Sequence, residues 1–468
     1  MSANGRCNGS NDAKPSDAIP VLEEMLTSSI SALSPKVPLE PADVSGIARL
    51  ILESMKTSGR VYHNMQHVFD ISETMKDPIL ILSALFHDVI YYSIDKSFSD
   101  EQAKALEGVL MDLHSSEDLV LAKDFADALV EKVVRLYGFE PGAPLPKLGT
   151  NEFLSAMIGV RVLEQWLDMP YLMQIATCIE ATIPFRPVSE DGKNPMDRLY
   201  DRLKLVCSEQ SEEWLERTVI MAALTANCDL CSFDSDDRDF FLDSSWKLIP
   251  EARPNLLKED CSLMEFYNEF FALEGRTKFL TGAVPKIFQT FRQSITDEQM
   301  AAKRAKTYEN LKVMSEYAQV RMLQLMVLVD FVKVMGEDPT TMPLRPLLRM
   351  ELPKVSEPTS SSEEESPLGL TKAEQEEVRN WLIFGRRACF SWDPAISPLG
   401  AYLYDSLGPQ GVAAAVEIGK NQKPGSHDLL KFLPEDVLST IASSLCTVLP
   451  DRAEGCLRVP EKLDILAQ

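Results

Sequence analysis

The sequence predicts an all-α fold on three observations. Apolar residues recur at three- and four-residue spacing from about residue 20 to 350, the spacing of one buried helix face. Nothing alternates with the period of two that a half-buried strand requires. Pro and Gly punctuate the apolar stretches where helices have to stop. The 468 residues suit two or three domains at roughly 150 residues each. A hydrophobic content of 45% supplies material for their cores.

Taken in order, residues 1–18 are rich in Ser, Asn, Gly and Asp and are expected to be disordered. His63 and His67 stand four apart, so on a helix they share one face. Asp77-Pro78 opens the next helix, because Pro suits a first turn, and its apolar run ends on the adjacent pair His87-Asp88. A helix is predicted from Asp100 through EQAKALEGVLMDL. Another, LVLAKDFADALVEKVVRLY, stops at Gly138, which accepts positive φ. The loop FEPGAPLPKLGT follows, and either Thr150 or Asn151 caps the helix EFLSAMIGVRVLEQWL.

Further helices are predicted over 212–230 and 262–281, and a long one over 297–335. The long helix carries an apolar run from Met322 to Val334 that suits either packing on the preceding helices or a homodimer. The aromatic residues Phe240, Phe241, Trp246, Phe266, Tyr267, Phe270 and Phe271 fall at helical spacing and read as core. Residues 351–372, with Pro, Ser and a Glu triplet, read as a linker. Residues 373–468 read as a small C-terminal module of unknown role, with Trp381, Trp392 and an amphipathic stretch from Glu435 to Leu449. There is no phosphate-cradling Gly-rich loop, no nucleophile elbow and no internal repeat.

The formal net charge of −24 excludes binding to nucleic acid through bulk positive charge, since neutralising phosphates needs a basic footprint. Nine cysteines, an odd number without close regular spacing, form no disulfide framework. The N-terminus lacks the apolar stretch of a signal peptide, and the longest conspicuous apolar run, ILILSALF at 79–86, is far short of a membrane span. A cytoplasmic, membrane-free protein is expected. Cys228 and Cys231 make a lone CxxC, which reads as small helix residues rather than a zinc or redox site.

Histidine carries the functional signal. The chain has five, and His63, His67 and His87 fall in one short window, the last beside Asp88. His114, at a helix end, and His427-Asp428, after Pro-Gly, have ordinary structural readings. Imidazole and carboxylate together suit Zn, Fe, Mn or Mg. An apolar helix that delivers an ionisable pair needs a partner for it, because buried charges are paired or metal-bound.

The segments YHNMQH at 62–67 and FHD at 86–88 resemble the HD superfamily of metal-dependent phosphohydrolases. They are similar above all to the branch whose first histidine sits in a Tyr-His-Asn tripeptide, shared with the cyclic-nucleotide phosphodiesterases. The likeness covers roughly residues 45–250. It implies an HD-domain helical bundle at 19–292 with a helical extension at 293–350. It also implies one or two divalent ions (Mn, Mg, Fe or Zn) held by His67, His87, Asp88 and Asp229, the last in IMAALTANCDLCSF, with Asp88 able to bridge.

His63 matches the general acid of the phosphodiesterases. Glu101, in FSDEQAKAL, matches an acidic residue near the metal in small bacterial relatives. The implied reaction is hydrolysis of a phosphomonoester or phosphodiester by metal-activated water. Its substrate would be a phosphorylated small molecule, with nucleotides among the candidates. VIYYSIDKS follows the dyad here where the phosphodiesterases have a further His and a Gly-and-Asn pattern. The alternative is a catalytically weak HD scaffold that senses a nucleotide or serves as a regulatory interaction protein.

Overall fold

A computed structural model describes residues 15–57, 59–113, 119–271, 273–353, 366–388, 390 and 392–466. The chain is all-α, with 65% of it helical. Strand-like pairing among the described residues is limited to isolated bridges such as Leu110 with Leu121 and Val120 with Pro144. No described helix is long and apolar enough to cross a membrane. His114 and most of the linker at 351–372 lie outside the described residues. So does most of the N-terminal stretch expected to be disordered, but Pro15–Ala18 belongs to the first helix.

The chain forms two compact units, one from residues 11–234 and 283–305 and the other from 235–282 and 306–468. The first holds α1 (Pro15–Ala32), α2 (Pro41–Ser54), α3 (Met65–Ser72), α4 (Pro78–Phe86), α5 (Tyr92–Asp95) and α6 (Asp100–Ala105). It continues with α7 (Ala128–Tyr137), α8 (Thr150–Leu163), α9 (Met169–Ala181), α10 (Pro195–Val206) and α11 (Glu212–Asp229). Helix α9 is its axis. Every residue from Leu172 to Ala181 is buried, and α4, α8 and α11 pack around it. A helix buried on every side is central, and its polar side chains find partners inside: Gln174 donates to Thr218, Thr177 to the Met173 carbonyl, and Glu180 pairs with Arg186.

Helix α4 obeys the same rule: Pro78 opens it, the Asp77 carboxylate accepts the Ile79 N–H, and its buried run ends at Phe86. Gly159 of α8 lets that end approach closely, since a Cβ there would sit 3.1 Å from Phe86. Two predicted helices prove shorter. Helix α6 ends at Ala105, and α7 begins at Ala128, because Leu110, Val120 and Leu121 spend their backbone groups on the isolated bridges instead. Gly138 closes α7 at φ 70°, as its position predicts. Neither Thr150 nor Asn151 caps α8: Gly149 stands at the cap, and Asn151 accepts the Tyr92 N–H across the fold.

The second unit contains α12 (Arg238–Ala252), α13 (Leu263–Phe271), most of α14 (Leu273–Ala283) and most of α15 (Asp297–Met335). It also contains α16 (Leu344–Leu348), α17 (Lys372–Phe384), α18 (Pro398–Asn421), α19 (Asp428–Phe432), α20 (Glu435–Val448), α21 (Ala453–Leu457) and α22 (Val459–Leu466). The division differs from a first domain at 19–292 and a separate module at 373–468. Its physical reason is side-chain burial. Trp246 packs edge-on against Tyr317 of α15, and Phe266 packs against Trp392. Asp393, wholly buried, accepts from Trp246 Nε1 at 2.8 Å and pairs with both Arg321 and Arg386. Residues 235–282 therefore complete the core of the C-terminal half. Of the seven aromatics read as core, Phe241, Trp246, Phe266 and Phe270 are buried, whereas Phe271 is exposed.

Candidate metal centre

The site is assembled in the first unit from three helix ends. Asn64 caps α3, its side-chain oxygen accepting the N–H groups of Gln66 and His67 at 3.0 and 3.3 Å. The Tyr-His-Asn tripeptide is thus a helix start, and His63 lies just outside the helix rather than one turn above His67 on it. His63 instead stacks on Tyr91 at 4.5 Å between ring centroids, and meets His67 edge-on at 5.8 Å. His87 ends α4, and Asp88 begins the turn after it. Asp229 is the last residue of α11.

These ends bring four predicted residues together. His67 Nε2 is 3.1 Å from Asp229 Oδ1 and 3.7 Å from Asp88 Oδ2. His87 Nε2 is 2.9 Å from Asp88 Oδ2 and 3.5 Å from Asp229 Oδ1. One nitrogen or oxygen from each of His67, His87 and Asp88 lies within 4.8 Å of the others, a spacing that one cation can serve. His87 Nδ1 is 2.8 Å from the Ala84 carbonyl and donates to it, which turns Nε2 and its lone pair into the cluster. His87 Nε2 and Asp88 Oδ2 are buried and, despite their proximity, make no aligned hydrogen bond. Two lone-pair atoms converging on one buried point with no donor between them fit a cation.

The electrostatics agree. Burial opposes charge on Asp88 and Asp229, yet the neighbouring histidines outweigh it. Asp88 is held well below the usual carboxylate range and Asp229 at about 2. Burial would also lower the His87 pKa, but Asp88 beside it and Asp229 raise it well above its usual value. Tyr62, tilted over His67 at 4.4 Å between centroids, is kept protonated by burial and by the charges of Asp229 and Asp88.

The turn carrying the dyad is braced from outside the cluster. Arg60, fully buried in its side chain, donates Nη1 to the Asp88 carbonyl at 2.6 Å and forks onto Asp95 through Nε and Nη2. Asp95 also accepts the Tyr91 N–H at 2.8 Å. Ser155 of α8 hydrogen-bonds both backbone groups of Ile90. Gln102 closes a capping box with Ser99 and donates to the Val89 carbonyl at 2.8 Å.

Glu101 is not brought to the cluster. It is exposed and lines a separate cleft of about 1040 Å³ between α2, α6 and α8. Helix geometry explains this: a residue's immediate neighbour points about 100° away, so once Gln102 faces inward Glu101 faces out. Glu152, in the first turn of α8, feels the charge of this cluster. Burial, together with the charges of Asp88 and Asp229, pushes its carboxyl up to about 7. In sequence it is an ordinary first-turn acid, with nothing to mark it.

Arg186 is engaged with the Glu180 carboxylate at 2.6 Å. Cys228 lies in the last turn of α11, whereas Cys231 falls in the turn after it and not in a helix; both are half-buried thiols whose pKa burial raises. His427 pairs with Asp330 at 2.6 Å within the other unit. No protein-family model, curated protein or solved structure matches the chain.

Proposed function

We propose that the chain is a metal-dependent phosphohydrolase of the HD superfamily, acting on a phosphomonoester or phosphodiester, with nucleotides among its candidate substrates. The observation that carries this reading is the convergence of His67, His87, Asp88 and Asp229 around two buried atoms that lack a hydrogen-bond partner. A divalent ion, one or two of Mn, Mg, Fe or Zn, acidifies water and neutralises charge on phosphoryl oxygens when bound. His67, His87, Asp88 and Asp229 would hold it. Ala84 fixes the His87 tautomer, and Arg60 fixes the turn that presents Asp88.

His63, stacked on Tyr91 beside the cluster, is assigned the donation of a proton to the departing oxygen. Glu101, exposed in a cleft that none of the four ligand residues lines, has no part in this reading. A chain of charge −24 admits an anionic substrate only where a cation offsets the local field, and this cluster can hold one. A cytoplasmic setting belongs to the reading, because free thiols such as Cys178, Cys228 and Cys456 suit a reducing compartment.

Elemental analysis of protein purified without chelator, followed by a panel of nucleotides and simpler phosphoesters, tests the proposal. His87→Ala and Asp88→Ala are expected to lose metal and activity together. His63→Ala is expected to keep metal and lose on the order of 10²–10⁴-fold in turnover. Metal retained in both dyad variants would overturn the assignment. A metal-loaded protein active on no phosphoester would favour a nucleotide-sensing scaffold.

A further inference from the structure

A second set of ligand-type atoms, all sulfur, lies in the other unit and has no part in the phosphohydrolase reading. Cys456 of α21 places Sγ 3.8 Å from Met335 Sδ at the end of α15. Cys446 of α20 donates Sγ to the Ala442 carbonyl at 3.2 Å and lies 3.4 Å from the carbonyl of Ala453, the first residue of α21, close enough to Cys456 to raise the pKa of that thiol. Met335 and Cys456 are buried, and Cys446 is partly exposed. The ten-residue step between the cysteines matches no metal-binding spacing. What joins them is the tight Pro450–Arg452 turn that folds α21 back onto α20.

We infer that Cys446, Cys456 and Met335 form a binding site for a soft monovalent cation, Cu(I). Three sulfurs each about 2.3 Å from one ion stand roughly 3.8–4.0 Å apart, and the Cys456–Met335 separation already meets this. Two thiols and a thioether, with no imidazole in the set, select a soft ion over zinc. Binding breaks two S–H bonds, releases two protons to solvent and forms two thiolate–metal bonds plus one thioether bond. No electron is transferred, because the metal enters as Cu(I). The resulting complex carries one net negative charge.

Positive charge lies close by to offset it. Lys462 donates to the Val334 and Met335 carbonyls at 3.0 and 3.1 Å, and Arg452 is near enough to favour a Cys456 thiolate. Burial keeps the Cys456 thiol protonated, with its pKa near 11, so the thiolate forms only when a cation replaces the proton. Partly exposed Cys446 is the point of entry.

The test is an anaerobic titration of the reduced full-length protein with Cu(I) against a chromogenic Cu(I) chelator. One equivalent is expected to be withheld from the chelator, with a thiolate-to-copper absorption band in the ultraviolet. Cys446→Ser with Cys456→Ser should abolish the uptake, while Cys228→Ser with Cys231→Ser leaves it unchanged. Met335→Leu conserves volume and keeps the fold, checked by circular dichroism. It should weaken binding by at least the roughly tenfold that losing even an outer partner of a metal site costs. Uptake that follows Cys228 and Cys231, or that is the same in wild type and Met335→Leu, overturns the site. So does rapid loss of both thiols to a disulfide in place of copper retention.

Discussion

Glu152 carries the pH dependence that belongs to the residue scale. Its carboxyl is held up at about 7 by burial and by Asp88 and Asp229, against an ordinary value of 4.5. In metal-free protein the folded state therefore binds a proton that the unfolded state has released over that interval. The stabilisation is complete below 4.5 and is lost as pH rises through about 7. Glu152→Gln should flatten this slope, raising the Tm of chelator-treated protein at pH 7.5 more than at pH 4.5. An unchanged difference between the two pH values, read by calorimetry, would show that the charge of Glu152 is not what the cluster opposes. His67, His87, Asp88 and Asp229 were legible in sequence because ligand chemistry restricts which residue types can serve. Glu152 was not, because a carboxylate acquires its unusual character only from what burial sets beside it.

At the scale of the element, the turn after α4 depends on braces from distant parts of the chain. Arg60 is the most consequential, since its buried guanidinium serves the Asp88 carbonyl and the Asp95 carboxylate together. Arg60→Ala leaves Asp95 largely buried and unpaired, which costs about 3–5 kcal/mol by the usual penalty for breaking a buried pair. Arg60→Lys keeps the charge and loses the fork, so it should retain most of that stability while weakening metal binding about 10–100-fold. Denaturant unfolding and a metal-competition assay separate the two effects; equal metal affinity in Arg60→Lys and wild type would remove Arg60 from the positioning of Asp88. The Asp77-Pro78 start of α4 and the Gly138 stop of α7 were readable because local backbone sterics dictate them. The ends of α6 and α7 were not, because long-range pairing of Leu110, Val120 and Leu121 overrode local helix preference. The placement of His63 off the helix turned on Asn64, whose cap starts α3 at Met65, two residues too late to include it.

For the whole molecule, the ion cluster around Asp393 belongs to the core of one unit alone. Asp393→Ala strands Arg321 and Arg386 as buried charges and takes the acceptor from Trp246. A loss of about 3–5 kcal/mol is expected in the unit that contains them. Metal bound at His87 and Asp88 should be unchanged, because all four ligands and their braces belong to the other unit. Proteolysis confined to 235–282 and the C-terminal half, with full metal content, is the expected result, and loss of metal in parallel would contradict it. By itself the sequence determined the helical class and the residue types able to ligate a cation, because helical periodicity and ligand chemistry are local properties. Only the tertiary structure decided that Gln102 faces inward and Glu101 outward, that 235–282 completes the C-terminal core, and that Cys456 meets Met335 from far along the chain. Each of these is settled by which surfaces are buried against which, and burial is a property of the folded whole.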